Sequence, residues 1–76
     1  MLLVPEEHFR VNDNLLIYYS EFNGKDYVNF RKCFLDSDEN LCMGKGFNLT
    51  IEDFSELCSK TNEMSSYIEK KIKEGL

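Results

Sequence analysis

Cations are the first shortage in this chain. Nine Lys and Arg stand against 14 Asp and Glu, a formal net charge of −5 and the wrong sign for a protein that grips nucleic acid through a generally basic surface. The acidic excess is spread out, with five Lys or Arg against eight Asp or Glu in residues 1–50 and four against six in residues 51–76. Contact with a phosphate backbone therefore requires a local basic surface. Cysteine and histidine are also sparse: Cys33, Cys42 and Cys58 show no CxxC spacing, and His8 is the one histidine. That set supports neither a zinc site nor a disulfide framework. No apolar run approaches the length needed to span a bilayer, so no membrane partner is expected. No charged leader with an apolar run and a small-residue cleavage site opens the chain, and an intracellular, reducing compartment is expected. One Pro and four Gly beside ten aromatics exclude a disordered chain and favour an ordered fold with a proper core.

The 76 residues leave room for one domain, residues 1–76. A domain of this size buries only about 60% of its unfolded surface, so a second copy of the chain would complete the core. Met1 to Val4 is a short apolar run, stopped by Pro5, Glu6 and Glu7, that suits docking on a partner subunit. A first strand is expected near residues 8–11, ended by Asn12, Asp13 and Asn14, which favour turns because Asn and Asp side chains bond their own backbone. Residues 15–22 read as a second strand by aromatic and branched content. Alternation puts Leu15, Ile17 and Tyr19 on one face, the better core candidate, and Leu16, Tyr18, Ser20 and Phe22 on the other. Asn23-Gly24 then gives the strongest short hairpin signal, since a type I′ turn needs positive φ at both central residues.

The third strand, residues 25–35, sets Lys25, Tyr27, Asn29, Arg31 and Cys33 on one face and Val28, Phe30, Lys32 and Phe34 on the other. Asp36 to Asn40 is a polar turn without the regular ligands and closing Glu of a calcium loop. A fourth strand, residues 41–49, is interrupted by Gly44-Lys45-Gly46, where the glycines allow a bulge; Phe47 and Leu49 should face the core. The Gly-Lys-Gly is no phosphate loop, which needs wider glycine spacing and a Ser or Thr after its Lys. Thr50 is placed to cap a helix over residues 51–74, with Asp53 in the capping-box position. Its apolar positions, Ile51, Phe54, Leu57, Cys58, Met64, Ile68 and Ile72, recur at spacings of three and four and predict one buried stripe. Lys70, Lys71 and Lys73 complement the helix dipole near its end.

The stretch from Phe22 to Phe54 holds most of the usable cations. Lys25, Arg31, Lys32 and Lys45 are interleaved there with Phe22, Tyr27, Phe30 and Phe34, the mixture of charge and flat rings that a single nucleic-acid strand needs. For Arg31 and Phe34 to serve one site, this strand must bulge or coil strongly between them, because alternation sends them to opposite faces. Half-buried strands are rich in aromatics for packing reasons alone, so the residues by themselves leave open both a binding surface and an ordinary core with a solvated edge.

Order and spacing carry a resemblance. Phe22-Asn23-Gly24-Lys25, Arg31 with Phe34 three residues on, Gly44-Lys45-Gly46, and Leu49-Thr50-Ile51-Glu52-Asp53-Phe54 resemble the single-stranded-DNA-binding domain of the transcriptional coactivator positive cofactor four (p15) family. The likeness extends back to Phe9 and forward through the helix with one single-residue deletion near Lys45. It implies an α+β fold: a curved four-stranded antiparallel sheet followed by one C-terminal helix, dimerising so that two sheets hold single-stranded or melted DNA. Phe22 and Phe34 match the family's stacking aromatics, and Lys25, Arg31 and Lys45 match its backbone-contacting cations. Met64, Ile68 and Ile72 fall where the helix would meet a second subunit. Asp13, Ser20, Asn23 and Cys42 stand where the family carries basic residues, and Phe34 where it usually has Trp. Each lost phosphate contact removes counterion release, so weaker and more salt-sensitive binding is expected. The family's basic, Ser-rich tail has no counterpart in the chain, and coactivation that depends on it is not expected.

The resulting expectation is a non-enzymatic, nuclear homodimer, cytoplasmic if of viral origin, that binds single-stranded DNA without sequence preference and acts as a transcriptional coactivator or regulator, or on melted DNA. RNA polymerase or transcription factors are its further expected partners. The alternative is a protein-interaction module of the transcription machinery that keeps the fold with weak or no DNA binding. No cofactor, metal site or catalytic residue is expected, because no carboxylate pair or Cys/His couple has supporting context.

Overall fold

The computed structural model describes residues 4–75. Its elements are β1 (Phe9–Asn12), β2 (Leu15–Phe22), β3 (Lys25–Leu35), β4 (Leu41–Thr50), α1 (Ile51–Ser59) and α2 (Thr61–Glu74). The strands form one open antiparallel sheet in the order β1-β2-β3-β4, so each strand neighbours the next in sequence and the connections are turns.

Local chemistry makes those turns. At the first, Asn12 Oδ1 accepts from the backbone N–H of Asn14 at 2.8 Å, the Asx bond that reverses the chain between β1 and β2. At the second, Asn23 (φ 52°) and Gly24 (φ 78°) both take positive φ, and Phe22 faces Lys25 across the hairpin, as a type I′ turn requires. In the third, Asp36 Oδ1 accepts from the N–H groups of Asp38 and Asn40, each at 2.9 Å. Those donors, that of Asn40 foremost, hold the Asp36 carboxyl below its ordinary range. Thr50 caps α1, its Oγ1 accepting from the Asp53 N–H at 3.2 Å.

The expected single C-terminal helix is two helices, broken at Lys60 (φ −115°, ψ 14°). The hydroxyls on either side explain the break. Ser59 Oγ donates to the Glu56 carbonyl at 2.7 Å and Thr61 Oγ1 to the Cys58 carbonyl at 3.3 Å, side-chain bonds that compete with the helical ladder. The Lys60 N–H falls back to Leu57 O at 3.1 Å before the ladder resumes from Met64 to Lys60 O. Beyond the break, α2 packs against α1 and makes no contact with the sheet among the described residues.

The two sheet faces also depart from expectation. Leu16, not the Leu15, Ile17 and Tyr19 face, is the fully buried residue, packed with Cys33 and Met43 and flanked by Val4, Tyr18 and Leu41. Val4 of the expected docking run thus lies on the chain's own core; Met1 to Leu3 of that run lie outside the described residues. Leu15 and Ile17 are half-buried and Tyr19 is exposed, because only α1 covers their face. There Phe54 of α1 meets Phe30 (6.1 Å between centroids), which stacks on Phe47 at 4.9 Å with rings nearly parallel. Phe47 is nevertheless exposed and Leu49 half-buried, so neither reaches a closed core. Nor is the helical stripe buried: Phe54 and Leu57 are half-covered, while Ile51, Cys58, Met64, Ile68 and Ile72 are exposed. Cys58 therefore is not the expected core thiol, whereas Cys33 and Cys42 are buried, and all three are free.

These exposures belong to a shape too extended for a self-sufficient domain. The radius of gyration is 15.2 Å, where a compact chain of this length would have about 11 Å.

Candidate nucleic-acid interface

Because paired residues in neighbouring strands share a face, register assigns each side chain to the helix-covered face or the open one. On the open face lie Leu16, Tyr18, Ser20 and Phe22 of β2, opposite Arg31, Asn29, Tyr27 and Lys25 of β3. Across β3, Arg31, Asn29 and Tyr27 pair in turn with Gly46, Asn48 and Thr50 of β4. The outcome is a polar and aromatic band along the middle of the sheet, continuous from the β2–β3 turn to the buried cluster around Leu16.

The band has two chemically rich ends. At the turn, Phe22 is 67% exposed and faces Lys25, which is exposed and, among the described residues, in no ion pair. At the other end stands Arg31, six residues along the strand and so about 20 Å away at 3.3 Å per residue. Arg31 Nη1 donates to the Gly44 carbonyl at 3.2 Å, while its Nε is buried with no partner among the described residues. A buried N–H left unpaired is costly, and an anion oxygen is the partner a guanidinium takes most readily.

The irregularity between Arg31 and Phe34 lies in β4, not in β3, so alternation along β3 is unbroken and Phe34 stays on the helix-covered face, opposite Arg31. Arg31 pairs with Gly46 and Cys33 with Met43, so two residues of β4, Gly44 and Lys45, lie across from Lys32 alone. The extra residue belongs to β4, and it swings Lys45 out into solvent at the sheet edge. Of the two glycines only Gly46 is required by space, since a Cβ on Gly44 would meet its neighbours at ordinary van der Waals distance. A Cβ on Gly46 would overlap the Phe30 carbonyl oxygen and come within 2.9 Å of Arg31 Cα, and a Cβ on Gly44 would lie 3.9 Å from the Phe34 ring. Arg31 thus reaches Gly44 from one side and Phe34, 48% exposed, borders it from the other. Arg31 and Phe34 flank the bulge from opposite faces, and Lys45 is one of its residues; Phe22 and Lys25 form a separate cluster at the hairpin. Met64, Ile68 and Ile72 are on α2, away from both clusters, in an exposed row with Tyr67.

Between the clusters lie Tyr27, one of the interleaved rings, and Asn29 and Tyr18, which the sequence did not single out as binding groups. Asn29, 6% exposed, is the one buried polar residue among the described residues; its Nδ2 donates to Ser20 Oγ at 2.8 Å and to the Tyr18 carbonyl at 3.3 Å. Tyr18 and Tyr27 are half-buried beside it. The available signal was alternation along β3, which already places Tyr27 and Asn29 with Lys25 and Arg31.

Acidic groups sit mostly off this band. Asp13 lies 3.9 Å from Arg10. On the helix-covered face, Tyr19 donates its hydroxyl proton to Asp26 at 2.6 Å, a bond that raises its pKa. Cys42 is also raised, by burial first and then by the nearby Asp36 charge, so its thiol stays protonated at neutral pH.

The model of the transcriptional coactivator p15 (PC4) family matches residues 11–60, which span β2, β3, β4 and α1 together with the end of β1. The chain belongs to this family. Its members are transcriptional coactivators that bind single-stranded DNA and act in the nucleus without enzymatic chemistry. No curated protein matches the chain in sequence. The family match covers the Asn23-Gly24 turn and the bulge that build the two clusters, and it ends at the break between α1 and α2.

Proposed function

We propose that this family member is a homodimer that binds single-stranded or melted DNA independently of sequence, through the open face of each sheet, as a nuclear coactivator or regulator of transcription. The observation that carries the reading is the open-face band from Phe22 and Lys25 to Arg31, with Lys45 in the bulge at its far end and Phe34 at the rim on the other face. An exposed ring at each end and cations without ion-pair partners among the described residues support it. Exposed rings take unpaired bases by stacking, worth roughly 1–3 kcal/mol per base whatever its identity. Cations at each end neutralise phosphates, and paired bases cannot reach the rings.

The homodimer is supported by what one chain leaves uncovered. Phe9, Ile17, Tyr19, Val28 and Phe54 line an apolar groove of about 280 Å³ on the helix-covered face. The row of Met64, Tyr67, Ile68 and Ile72 on α2 is apolar and meets nothing of its own sheet. Each surface is the complement that the other lacks, and exchange of α2 between two copies covers both.

A second reading, a protein-interaction module of the transcription machinery that has kept the fold, draws on the net charge of −5. Titration of the purified protein with fluorescent oligo-dT and with the matching duplex, at two salt concentrations, separates the two. The DNA reading expects single strand to bind more tightly and both affinities to fall with salt. No binding of either substrate at low salt would leave the interaction module.

A further inference from the structure

Between the two clusters the band narrows to a neutral, hydrogen-bonded pair. Asn29 is oriented without ambiguity, because the Tyr18 carbonyl can only accept and the amide atom facing it must be Nδ2. That same nitrogen donates to Ser20 Oγ. Two hydrogen bonds therefore fix the amide, and its Oδ1 accepts nothing from the described residues. Ser20 Oγ, having accepted from Asn29, keeps its own proton and donates it to no described residue. The open face thus presents, side by side and prepositioned, one acceptor (Asn29 Oδ1) and one donor (Ser20 Oγ–H).

The chemistry of a partner follows. The Watson–Crick edge of every base carries an N–H donor beside an acceptor: N3–H with O4 in thymine, N1–H with O6 in guanine, and an amino group beside a ring nitrogen in cytosine and adenine. In single strands those edges are open to protein groups; in a duplex they are spent on the opposite strand. Asn29 lies on β3 between Lys25 and Arg31, so a strand whose phosphates engage both ends of the band passes over it. Phosphate itself is a poor occupant, since the site has one donor and a carbonyl oxygen that repels an anion.

Resting on the proposed single-strand binding, we infer that Ser20 and Asn29 form a base-edge site that hydrogen-bonds the Watson–Crick face of one unpaired nucleotide. This is a second source of preference for single strands, beside stacking, and it needs no base identity.

The test changes the DNA before the protein. Oligo-dT is compared with the same strand built of N3-methylthymidine, which keeps the ring, the sugar and every phosphate but removes the N3–H donor. Wild type should bind the methylated strand about two- to tenfold more weakly, the ordinary worth of one hydrogen bond, with an unchanged salt slope. The double variant Ser20→Ala with Asn29→Leu removes the acceptor and the donor together and leaves the Tyr18 carbonyl one donor short, so its urea midpoint is read beside that of wild type to show that it folds. It should bind the two strands equally. Equal binding by wild type, with oligo-dT still bound, would overturn the base-edge site and leave the DNA reading intact. A difference that persists in the double variant would overturn it too, marking the methyl effect as steric. Failure to bind oligo-dT at all would overturn both.

Discussion

Phe34 and Lys45 border the same bulge and should fail in different ways when removed. Phe34→Ala removes a stacking platform and should cost roughly 1–3 kcal/mol of single-strand affinity, with little change in salt dependence because stacking releases few ions. Lys45→Ala should instead flatten the plot of log affinity against log salt by about 0.7, the single-strand value for one phosphate contact. Anisotropy titrations over a salt series distinguish the two. Asp36 makes a prediction about pH. Its carboxyl is held below the ordinary aspartate range, chiefly by the Asn40 N–H, so it is charged in the folded loop at pH values where it would be protonated in an unfolded chain. Its contribution is therefore complete above the ordinary aspartate range and is lost as pH falls through the lowered folded value. An NMR titration of the side-chain carboxyl should give a midpoint below that of a free aspartate, and Asp36→Asn should remove that part of the acid sensitivity. A midpoint at or above the free value would contradict the Asx geometry of the loop.

At the scale of elements, Gly46 is the sharpest test of the bulge. Any Cβ there meets the Phe30 carbonyl and the Arg31 backbone, so Gly46→Ala should destabilise by roughly 1–3 kcal/mol, the overpacking range, as a lowered urea midpoint. Gly24→Ala should act through backbone conformation alone, since nothing lies near its Cβ but its φ is positive. This contrast also shows which parts of the fold were legible in the sequence. The Asn23-Gly24 turn, the Asx turns and the Thr50 cap are contacts within a few residues, and the residues that make them are neighbours in the chain. The break at Lys60 was written in Ser59 and Thr61 and falls in the gap of the apolar row between Cys58 and Met64, which the seven-residue step from Leu57 to Met64 masked. The buried face of β2 was not legible. Leu16 and Tyr19 sit in one unbroken run of apolar and aromatic residues, and what decides between them is whether Cys33, Met43 and Val4 arrive above the strand. At the candidate interface the cations and exposed rings were visible as residue types, whereas the Ser20–Asn29 pair required register, because its members come from different strands.

For the whole molecule the governing fact is that α2 leaves its own sheet. A helix of 14 residues with an exposed row of Met64, Tyr67, Ile68 and Ile72 gains its stability from packing rather than propensity. Met64→Asp should therefore dissociate the proposed dimer to monomer or unfold the chain, read as a halved mass or a lost helical signal. The two halves of the functional account, dimerisation and single-strand binding, meet in sedimentation velocity of the wild-type chain at tens of micromolar, with and without labelled oligo-dT at low salt. The account predicts a dimer in the absence of DNA and comigration of the label with that dimer when the strand is added, lost on exchange for duplex or high salt. A well-folded monomer, or a dimer from which the labelled single strand sediments apart, would contradict it.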